Sequence, residues 1–342
     1  MGAWGYKALN VRSFLVLTVI ATSLFLSAPR AAMSNPLSEL QTRLRSAAQR
    51  LPARVGIAIE DLATGTISGI NANASMPAAS TIKVPVMVEV FEQMAQGRVS
   101  LNEPVHLMAS DRDWGWGELC DAPLGSRYTV STLLWKMITQ SDNTATNMLI
   151  RLVGRQSINV RMQGLGLTNT RVADYIRSDG DIRSLRSSAA DMAHLLDAIA
   201  RDQLIDQWSS RQMMLILEGQ THNGLLPVPL PRDVKIAHKT GELHDTLNDV
   251  GIVEDDREPY VIAVMTTALP TLDVGRSFIQ GISRLTYHAM IQFASWREAS
   301  GVTPVDSFAH PADTLSAPAV SPDLRMWLPA DSSSKEDSAG AD

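Results

Sequence analysis

The sequence contains a single cysteine, Cys120, among its 342 residues. One cysteine cannot form an intrachain disulfide, and no cysteine follows the N-terminal segment that could carry a lipid anchor. A lone cysteine of this kind is typical of a small apolar core residue. We therefore expect a fold without a disulfide framework, in which Cys120 packs in the hydrophobic core.

Sequence motifs for metal, nucleotide and esterase chemistry are also missing. The seven histidines include no His-x-x-x-His pair and no His-Glu-x-x-His sequence, which are the spacings typical of zinc ligands on a helix. No glycine-rich phosphate loop and no Gly-x-Ser-x-Gly elbow occur. The sequence therefore predicts neither a metal nor a cofactor.

An excess of positive charge is absent as well. The chain has 30 Lys and Arg against 36 Asp and Glu, which gives a net charge of −6. This balance argues against a nucleic-acid-binding surface. A hydrophobic content of 45% is ordinary for a globular protein, and the length suffices for one large domain or two interleaved ones.

The two ends of the chain differ from its middle. Lys7 and Arg12 precede an uncharged apolar run over 13–28, which is long for the core of a signal peptide and short for a membrane span. We predict that 1–32 is an export signal to the periplasm or the exterior, with an uncleaved membrane anchor as the alternative. Residues 299–342 are acidic, rich in Pro, Ser and Ala, and predicted to be disordered.

Strand-like and helix-like patterns divide the remaining domain, 33–298, into three parts. Strands are predicted near both ends of the domain, over 54–62, 65–70, 234–239, 248–253 and 260–266. Helices are predicted over 37–51 and 275–294, and throughout a long stretch over about 80–218. This order predicts an α+β fold, in which an antiparallel sheet built from both chain ends carries flanking helices. An all-helical domain is inserted, and the active site lies between the two parts.

Three short motifs carry the chemistry. Ser80-Thr-Ile-Lys83 begins an apolar helix, Ser141-Asp-Asn143 begins a second helix, and Lys239-Thr-Gly241 ends a strand. Lys83 lies three residues after Ser80, so both side chains share one helix face. A serine hydroxyl is a weak nucleophile until a base takes its proton, and a lysine with a lowered pKa can be that base. Each motif is weak alone, but the three occur together, in this order and on suitable elements.

The motif set resembles that of class A β-lactamases and related penicillin-recognising serine enzymes, over about residues 37–298. The resemblance implies a β-lactamase/transpeptidase-like fold. It also implies that Ser80 attacks an amide carbonyl and that Lys83 takes the serine proton. Ser141 would pass a proton to the leaving nitrogen, and Lys239 would hold Ser141 and attract a substrate carboxylate.

The resemblance further implies a set of substrate-binding residues, which are Trp116, Asn143, Thr240, Gly241 and Glu242. Thr240 would donate to the substrate carboxylate, and Asn143 would hold a substrate side-chain amide, with simple helix capping as its alternative role. The backbone N–H groups of Ser80 and Glu242 would form the oxyanion hole. Trp116 would line the cleft, unless it is only a packed loop residue.

The expected deacylating carboxylate is absent. Ile176 falls where the family has a glutamate that activates water, and residues 170–182 contain no glutamate at all. Asp174 is close in sequence, but we predict that it is an ion-pair partner. Without a positioned carboxylate, release of the acyl group is expected to be slow.

Two further departures concern substrate charge. Val228 and Leu247 occupy the positions nearest to those where the family has an arginine for the substrate carboxylate. Glu242 follows Gly241, where a small or hydroxyl residue is usual, and its carboxylate would repel an anionic substrate unless it turns to solvent. These departures resemble a subgroup of the family that includes D-alanyl-D-alanine peptidases.

The sequence thus predicts an exported, monomeric serine hydrolase that forms an acyl-enzyme at Ser80. Its expected substrate is a β-lactam or a peptidoglycan-like peptide, with no nucleic acid and no metal involved. A D-Ala-D-Ala carboxypeptidase remains the alternative enzyme. A penicillin-binding sensor that acylates once and signals through the C-terminal tail is the alternative of another class.

Overall fold

The computed structural model describes residues 1–2, 35–180 and 182–303. Nearly all of the predicted export signal and tail lies outside these ranges. Residues 35–303 belong to one compact unit. Among the described helices, none combines the length and the apolar character that a bilayer crossing requires.

The described residues form nine strands and eight α-helices. The strands are β1 (Arg54–Asp61), β2 (Ile67–Ile70), β3 (Met76–Pro77), β4 (Pro104–His106), β5 (Arg127–Thr129), β6 (Arg186–Ser187), β7 (Lys235–Leu243), β8 (Thr246–Glu254) and β9 (Tyr260–Thr267). The helices are α1 (Pro36–Arg50), α2 (Lys83–Ala95), α3 (Val130–Thr139), α4 (Asn143–Val153), α5 (Arg155–Gly164), α6 (Ala189–Ala200), α7 (Gln207–Glu218) and α8 (Leu272–Ser300).

The main sheet has five strands in the order β2-β1-β9-β8-β7, and every neighbouring pair is antiparallel. Strand β1, from the beginning of the domain, pairs along its whole length with β9, from the end. The predicted sheet, built from both chain ends, is therefore confirmed, and so is the α+β fold class.

Strand β9 shows why this sheet needs helices on both faces. All eight of its residues are buried, and successive side chains of a strand point to opposite faces. Val261, Ala263 and Met265 belong to the core shared with the helical region, whereas Tyr260, Ile262 and Val264 belong to the core under α1 and α8. The sheet thus separates two hydrophobic cores. Cys120 is buried as predicted.

The inserted region is not all-helical, which corrects one prediction. Strands β4 and β5 form a two-stranded antiparallel pair inside it. Strands β3 and β6 form a second pair, which joins the residues just before the inserted region to a segment within it. These strands are only two or three residues long, too short for the alternation that identifies a strand in a sequence.

The last helix is longer than predicted. Helix α8 begins at Leu272, where the side chain of Thr271 accepts a hydrogen bond from the backbone N–H of Val274. It ends at Ser300, followed by Gly301 with φ of 69°, the left-handed conformation in which glycine commonly ends helices. Arg276, which lies within the predicted part of this helix, lines the cleft described below.

Candidate active site

The predicted nucleophile lies on a strained turn. Residues Ala79–Ile82 form one turn of 3₁₀-helix between β3 and α2, and Ala79 has a positive φ of 49°. A non-glycine residue in this conformation is energetically unfavourable and requires support from its surroundings. Ser80 is partly exposed at this turn, whereas Lys83, the first residue of α2, is fully buried. The hydroxyl therefore faces a cleft while the amine lies beneath the protein surface.

The cleft has a volume of about 680 Å³ and lies against both the sheet and the helical region. Six of the predicted site residues line it: Ser80, Trp116, Ser141, Asn143, Thr240 and Glu242. The three motifs, which are far apart in the sequence, are thus brought together in one place.

The amine of Lys83 lies within hydrogen-bonding distance of four oxygen atoms. Its Nζ is 3.0 Å from Ser80 Oγ, 3.0 Å from Ser141 Oγ, 2.5 Å from Ser141 O and 2.8 Å from Asn143 Oδ1. Two of these partners are carbonyl oxygens, which only accept hydrogen bonds, and two are hydroxyls, which can also donate. A neutral amine has two N–H groups for the carbonyl oxygens and one lone pair for a hydroxyl proton. The geometry therefore suits a base.

The surroundings favour this neutral form. Burial lowers the pKa of Lys83 well below its ordinary value of 10.5, and the nearby charge of Lys239 lowers it further. Asp142 and Asp113 act in the opposite direction, but they do not outweigh the other two. A lysine that has lost its proton can accept one from a serine hydroxyl.

Ser141 presents two of the four oxygens because its backbone is left-handed, with φ of 59°. Asp142, the next residue, caps helix α4: its Oδ1 accepts from the N–H of Ala145 at 2.8 Å. The other carboxylate oxygen accepts from the N–H groups of Glu118 and Leu119, both at 2.9 Å. These bonds fix the turn that aims Ser141 at Lys83.

Asn143 is held at both ends of its side-chain amide. Its Oδ1 accepts from Lys83, and its Nδ2 donates to Asp113 Oδ1 at 2.7 Å. Helix capping is not its role, since the cap of α4 is Asp142. One N–H of the amide remains for a ligand in the cleft.

Lys239 is fully buried on β7, and its Nζ donates to the carbonyl of Thr240 at 3.0 Å. The expectation that it holds Ser141 is not met in the described residues, since the Ser141 hydroxyl is bonded to Lys83 instead. Burial lowers the pKa of Lys239 to about 7, although the Asp249 carboxylate opposes this effect. When it is protonated, Lys239 lowers the pKa of Lys83 through its charge.

Gly241 allows β7 to run close to the nucleophile turn. A Cβ atom at this position would lie 2.9 Å from the carbonyl oxygen of Ala78 and 3.1 Å from the backbone nitrogen of Ser80. Asn248, on the neighbouring strand, donates to the carbonyls of Pro77 and Ala78 at 3.0 Å each. The sheet therefore holds the Ser80 turn directly, with Glu242 beside it in the cleft wall.

The rim of the cleft contains Trp116, Glu242 and His222. The Trp116 ring lies 5.5 Å from the His222 ring, and its Nε1 donates to the carbonyl of Gln140 at 3.1 Å. Trp116 remains 48% exposed, so it lines the cleft and is not a packed loop residue. Glu242 is exposed, as an anionic substrate would require.

Ile176 lies in the cleft wall and is 2% exposed. The side chain of Asn147 holds its backbone: Asn147 Oδ1 accepts from the N–H of Ile176 at 2.8 Å, and Nδ2 donates to its carbonyl at 3.0 Å. Asp174 forms an ion pair with Arg155 at 3.0 Å, with its side chain 65% exposed. The prediction that Asp174 is an ion-pair partner is therefore confirmed.

Two residues of the site were missed by the sequence analysis. Arg276, one turn into α8, lines the cleft and provides a positive charge where Val228 and Leu247 provide none. Asp113 is a buried carboxylate in contact with Asn143. Neither belongs to a recognisable motif, and the predicted helix contained Arg276 without any sign that it faces the cleft.

Known proteins with similar sequences share one description. A profile of the beta-lactamase enzyme family matches residues 39–290. Beta-lactamase CARB-3 of Pseudomonas aeruginosa is 24% identical over 231 residues, which cover 65% of this chain and 79% of that protein. A beta-lactamase of Bacteroides uniformis is 25% identical over 309 residues, or 83% of this chain and 99% of that protein.

Similar solved structures include both penicillin-binding proteins and β-lactamases. PBP-A matches with a TM-score of 0.70 and 29% identity, covering 76% of this chain and 97% of its own. A PBP-A variant with leucine replaced by glutamate has been solved as an acyl-enzyme with penicillin G. It matches with a TM-score of 0.72 and 30% identity, covering 75% of this chain and 97% of its own. A β-lactamase from Sphaerobacter thermophilus has a TM-score of 0.69 and 29% identity, with the same coverage.

The clamp on Ile176 can be tested by substitution. Asn147→Ala removes both hydrogen bonds to the Ile176 backbone, so we expect the Ile176 amide to exchange with solvent faster and the unfolding free energy to fall by about 1–3 kcal/mol. Asn159→Ala is the matched control, because Asn159 holds Val172 through the same pair of bonds, at 2.8 and 2.9 Å. It should accelerate exchange at Val172 and leave Ile176 unchanged. Equal protection of Ile176 in wild type and Asn147→Ala would contradict the clamp.

Proposed function

Because the chain belongs to the beta-lactamase enzyme family, we propose that it is a serine hydrolase that forms an acyl-enzyme at Ser80 with β-lactams. It then hydrolyses them with slow deacylation. One observation carries the proposal: the buried amine of Lys83 lies 3.0 Å from the Ser80 hydroxyl, with carbonyl oxygens present to accept its two N–H groups.

Acylation follows from this arrangement. Ser80 Oγ attacks the carbonyl carbon of the β-lactam, and its proton moves to the lone pair of Lys83. The carbonyl oxygen takes up negative charge, which the backbone N–H groups of Ser80 and Glu242 stabilise. The C–N bond then breaks, and the nitrogen receives a proton through the hydroxyl of Ser141, which is bonded to Lys83.

Substrate binding uses the polar wall of the cleft. The Thr240 hydroxyl and the guanidinium of Arg276 bind the substrate carboxylate, with the charge of Lys239 behind them. Arg276 is free to turn inward, because Asp273 is its nearest acidic partner in the described region, at 3.7 Å and itself exposed. The remaining N–H of Asn143 binds a side-chain amide of the substrate.

Deacylation is slow because an apolar residue, Ile176, stands where the family has a water-activating glutamate, and none of the acidic side chains considered in the described part of the loop replaces it. Ile176 is apolar, Asp174 is exposed and paired, and the Asp113 oxygens already accept hydrogen bonds from the protein. An ester at Ser80 therefore meets water without a carboxylate at the position of Ile176. The solved acyl-enzyme of a PBP-A variant with penicillin G supports acylation by a β-lactam in this fold.

A D-Ala-D-Ala carboxypeptidase is the second candidate, and its specific support is the similarity to PBP-A. The same nucleophile and base would act on a peptide amide, whose smaller leaving group departs and admits water. A penicillin-binding sensor that is acylated without turnover is favoured only by the missing carboxylate.

The organisation around this site is also proposed. Residues 1–32 export the chain or anchor it, 33–298 form the hydrolase domain, and 299–342 are a tail. The domain acts as a monomer in the periplasm or outside the cell.

Covalent modification tests the nucleophile and its base. We expect a β-lactam to add its mass to Ser80, as seen by intact mass spectrometry and peptide mapping. Ser80→Ala should abolish the adduct and leave the fold intact. Lys83→Ala should slow acylation by roughly 10²–10⁴, the usual contribution of a general base. Labelling that persists in Ser80→Ala would disprove the nucleophile, and a change below about threefold in Lys83→Ala would exclude its role as base.

Ile176→Glu tests the missing carboxylate. With a chromogenic β-lactam, wild type should show a burst near one equivalent and then a slow steady phase. Ile176→Glu should raise the steady phase several-fold and leave the burst rate unchanged. Ile176→Gln introduces a side chain with the shape of glutamate but without a basic carboxylate. Its steady phase should therefore match that of wild type. Fast steady turnover in wild type would show that another residue activates the water.

A further inference from the structure

Asp113 is a buried acid outside every motif of this chain. It is 4% exposed and lies in the loop between β4 and β5, two residues after the end of a short 3₁₀ turn. Its Oδ1 accepts from Asn143 Nδ2 at 2.7 Å, from Ser178 Oγ at 2.7 Å and from the N–H of Gly115 at 3.1 Å. Its Oδ2 accepts from the N–H of Ser178 at 2.6 Å. These four hydrogen bonds fix the position of the Asp113 carboxylate.

We propose that Asp113 is a positioning residue, which holds the Asn143 amide with its oxygen towards Lys83 and so maintains the base in its acylating geometry. The proposal rests on the proposed acylation of Ser80.

The orientation argument follows from donor and acceptor types. An ionised carboxylate only accepts hydrogen bonds, so the atom of Asn143 that faces Asp113 has to be the NH₂ group. The oxygen of the same amide then faces Lys83, at 2.8 Å from Nζ. If the amide turned over, an NH₂ group would meet the amine of Lys83 and an oxygen would meet a carboxylate. Both contacts would be unfavourable, so Asp113 excludes this arrangement.

The carboxyl group of Asp113 also stays ionised at neutral pH. Burial alone would raise the pKa of Asp113, but the hydrogen bonds from Ser178, Asn143 and Gly115 outweigh burial and lower it. Asp113 is therefore a permanent acceptor and a permanent negative charge near Lys83. The other charged or titratable groups that face Lys83 are Lys239 on β7, Asp142 before α4 and His222 at the cleft rim.

A purely structural role predicts something different. Asp113 also joins the Ile176–Ser178 segment to the Gly115 loop through its two bonds to Ser178. If that connection were its whole purpose, Ser178→Ala, which removes the Oγ bond and keeps the backbone bond, would already disturb the site. Ser178→Ala leaves the bond between Asp113 and Asn143 in place, so it serves as the matched control.

The test compares acylation rates of the full chain with a chromogenic β-lactam from pH 5 to 9. Asp113→Ala frees the Asn143 amide and should slow acylation about 10- to 100-fold, the scale of a misplaced catalytic group. Asp113→Asn, which keeps the shape, guards against a failure of the alanine variant to fold. Both variants should move the acid side of the rate profile to lower pH, because Lys83 loses a nearby negative charge and binds its proton less tightly. Ser178→Ala should change neither the profile nor the rate beyond about threefold.

A double-mutant comparison checks that Asp113 acts through Asn143. In an Asn143→Ala background, Asp113→Ala should add little further loss. Equal slowing in both backgrounds, an unmoved rate profile, or a matching effect of Ser178→Ala would overturn the proposal.

A second readout does not depend on acylation. In the resting protein, the side-chain N–H proton of Asn143 that is bonded to Asp113 should exchange slowly with solvent, as seen by NMR, and faster in Asp113→Ala. If wild type formed no adduct at Ser80, the proposed function would fail, but faster exchange would still show that Asp113 orients Asn143. Unchanged exchange would overturn the orientation itself.

Discussion

The site depends on one buried amine. Lys83 has no exposed surface, yet its Nζ lies among four oxygens from Ser80, Ser141 and Asn143. Keeping an ammonium at this depth is unfavourable without a paired charge, and the neighbouring Lys239 makes it less favourable still. Burial therefore stabilises the neutral form of the amine. Its two N–H groups donate to the two carbonyl oxygens, so its lone pair is available to accept a hydroxyl proton. The packing that buries Lys83 beside Ser80 thus provides both the base and the nucleophile.

The rest of the fold maintains this arrangement by supporting backbone that would otherwise relax. Ala79 and Ser141 both have positive φ, a strain that is found mainly where surrounding structure compensates for it. Gly241 and Asn248, from the sheet, contact the turn that contains Ala79, and Asp142 fixes the turn that contains Ser141. The sheet joins β1 to β9, so both ends of the domain are needed to hold one side of the cleft. The catalytic groups are thus positioned by long-range contacts.

Features that depend on a short stretch of sequence could be predicted from it. Strand-like runs identified the five strands of the sheet, and the motifs identified Ser80, Lys83, Ser141 and Asn143, which the fold brings together. The strands of two or three residues had no periodicity to detect, so the inserted region was wrongly predicted as all-helical. Asp113 and Arg276 could not be found, because their importance comes from neighbours thirty or more residues away in the chain. The Lys239 bond to Ser141 was expected from resemblance alone, and in the structure Lys83 bonds that hydroxyl instead.

The central claim, that burial lowers the pKa of Lys83 and so prepares it to act as a base, can be measured directly. In protein labelled with ¹³C-lysine, the Cε signal of Lys83 can be assigned with Lys83→Ala and followed by NMR as the pH changes. Lys239→Ala would identify the second buried lysine, whose pKa is lowered to about 7. The account predicts that the pKa of Lys83 lies well below 10.5, because burial and Lys239 both disfavour its charge. A titration midpoint near 10.5 would show a charged lysine at neutral pH, and Lys83 could not then be the base that activates Ser80.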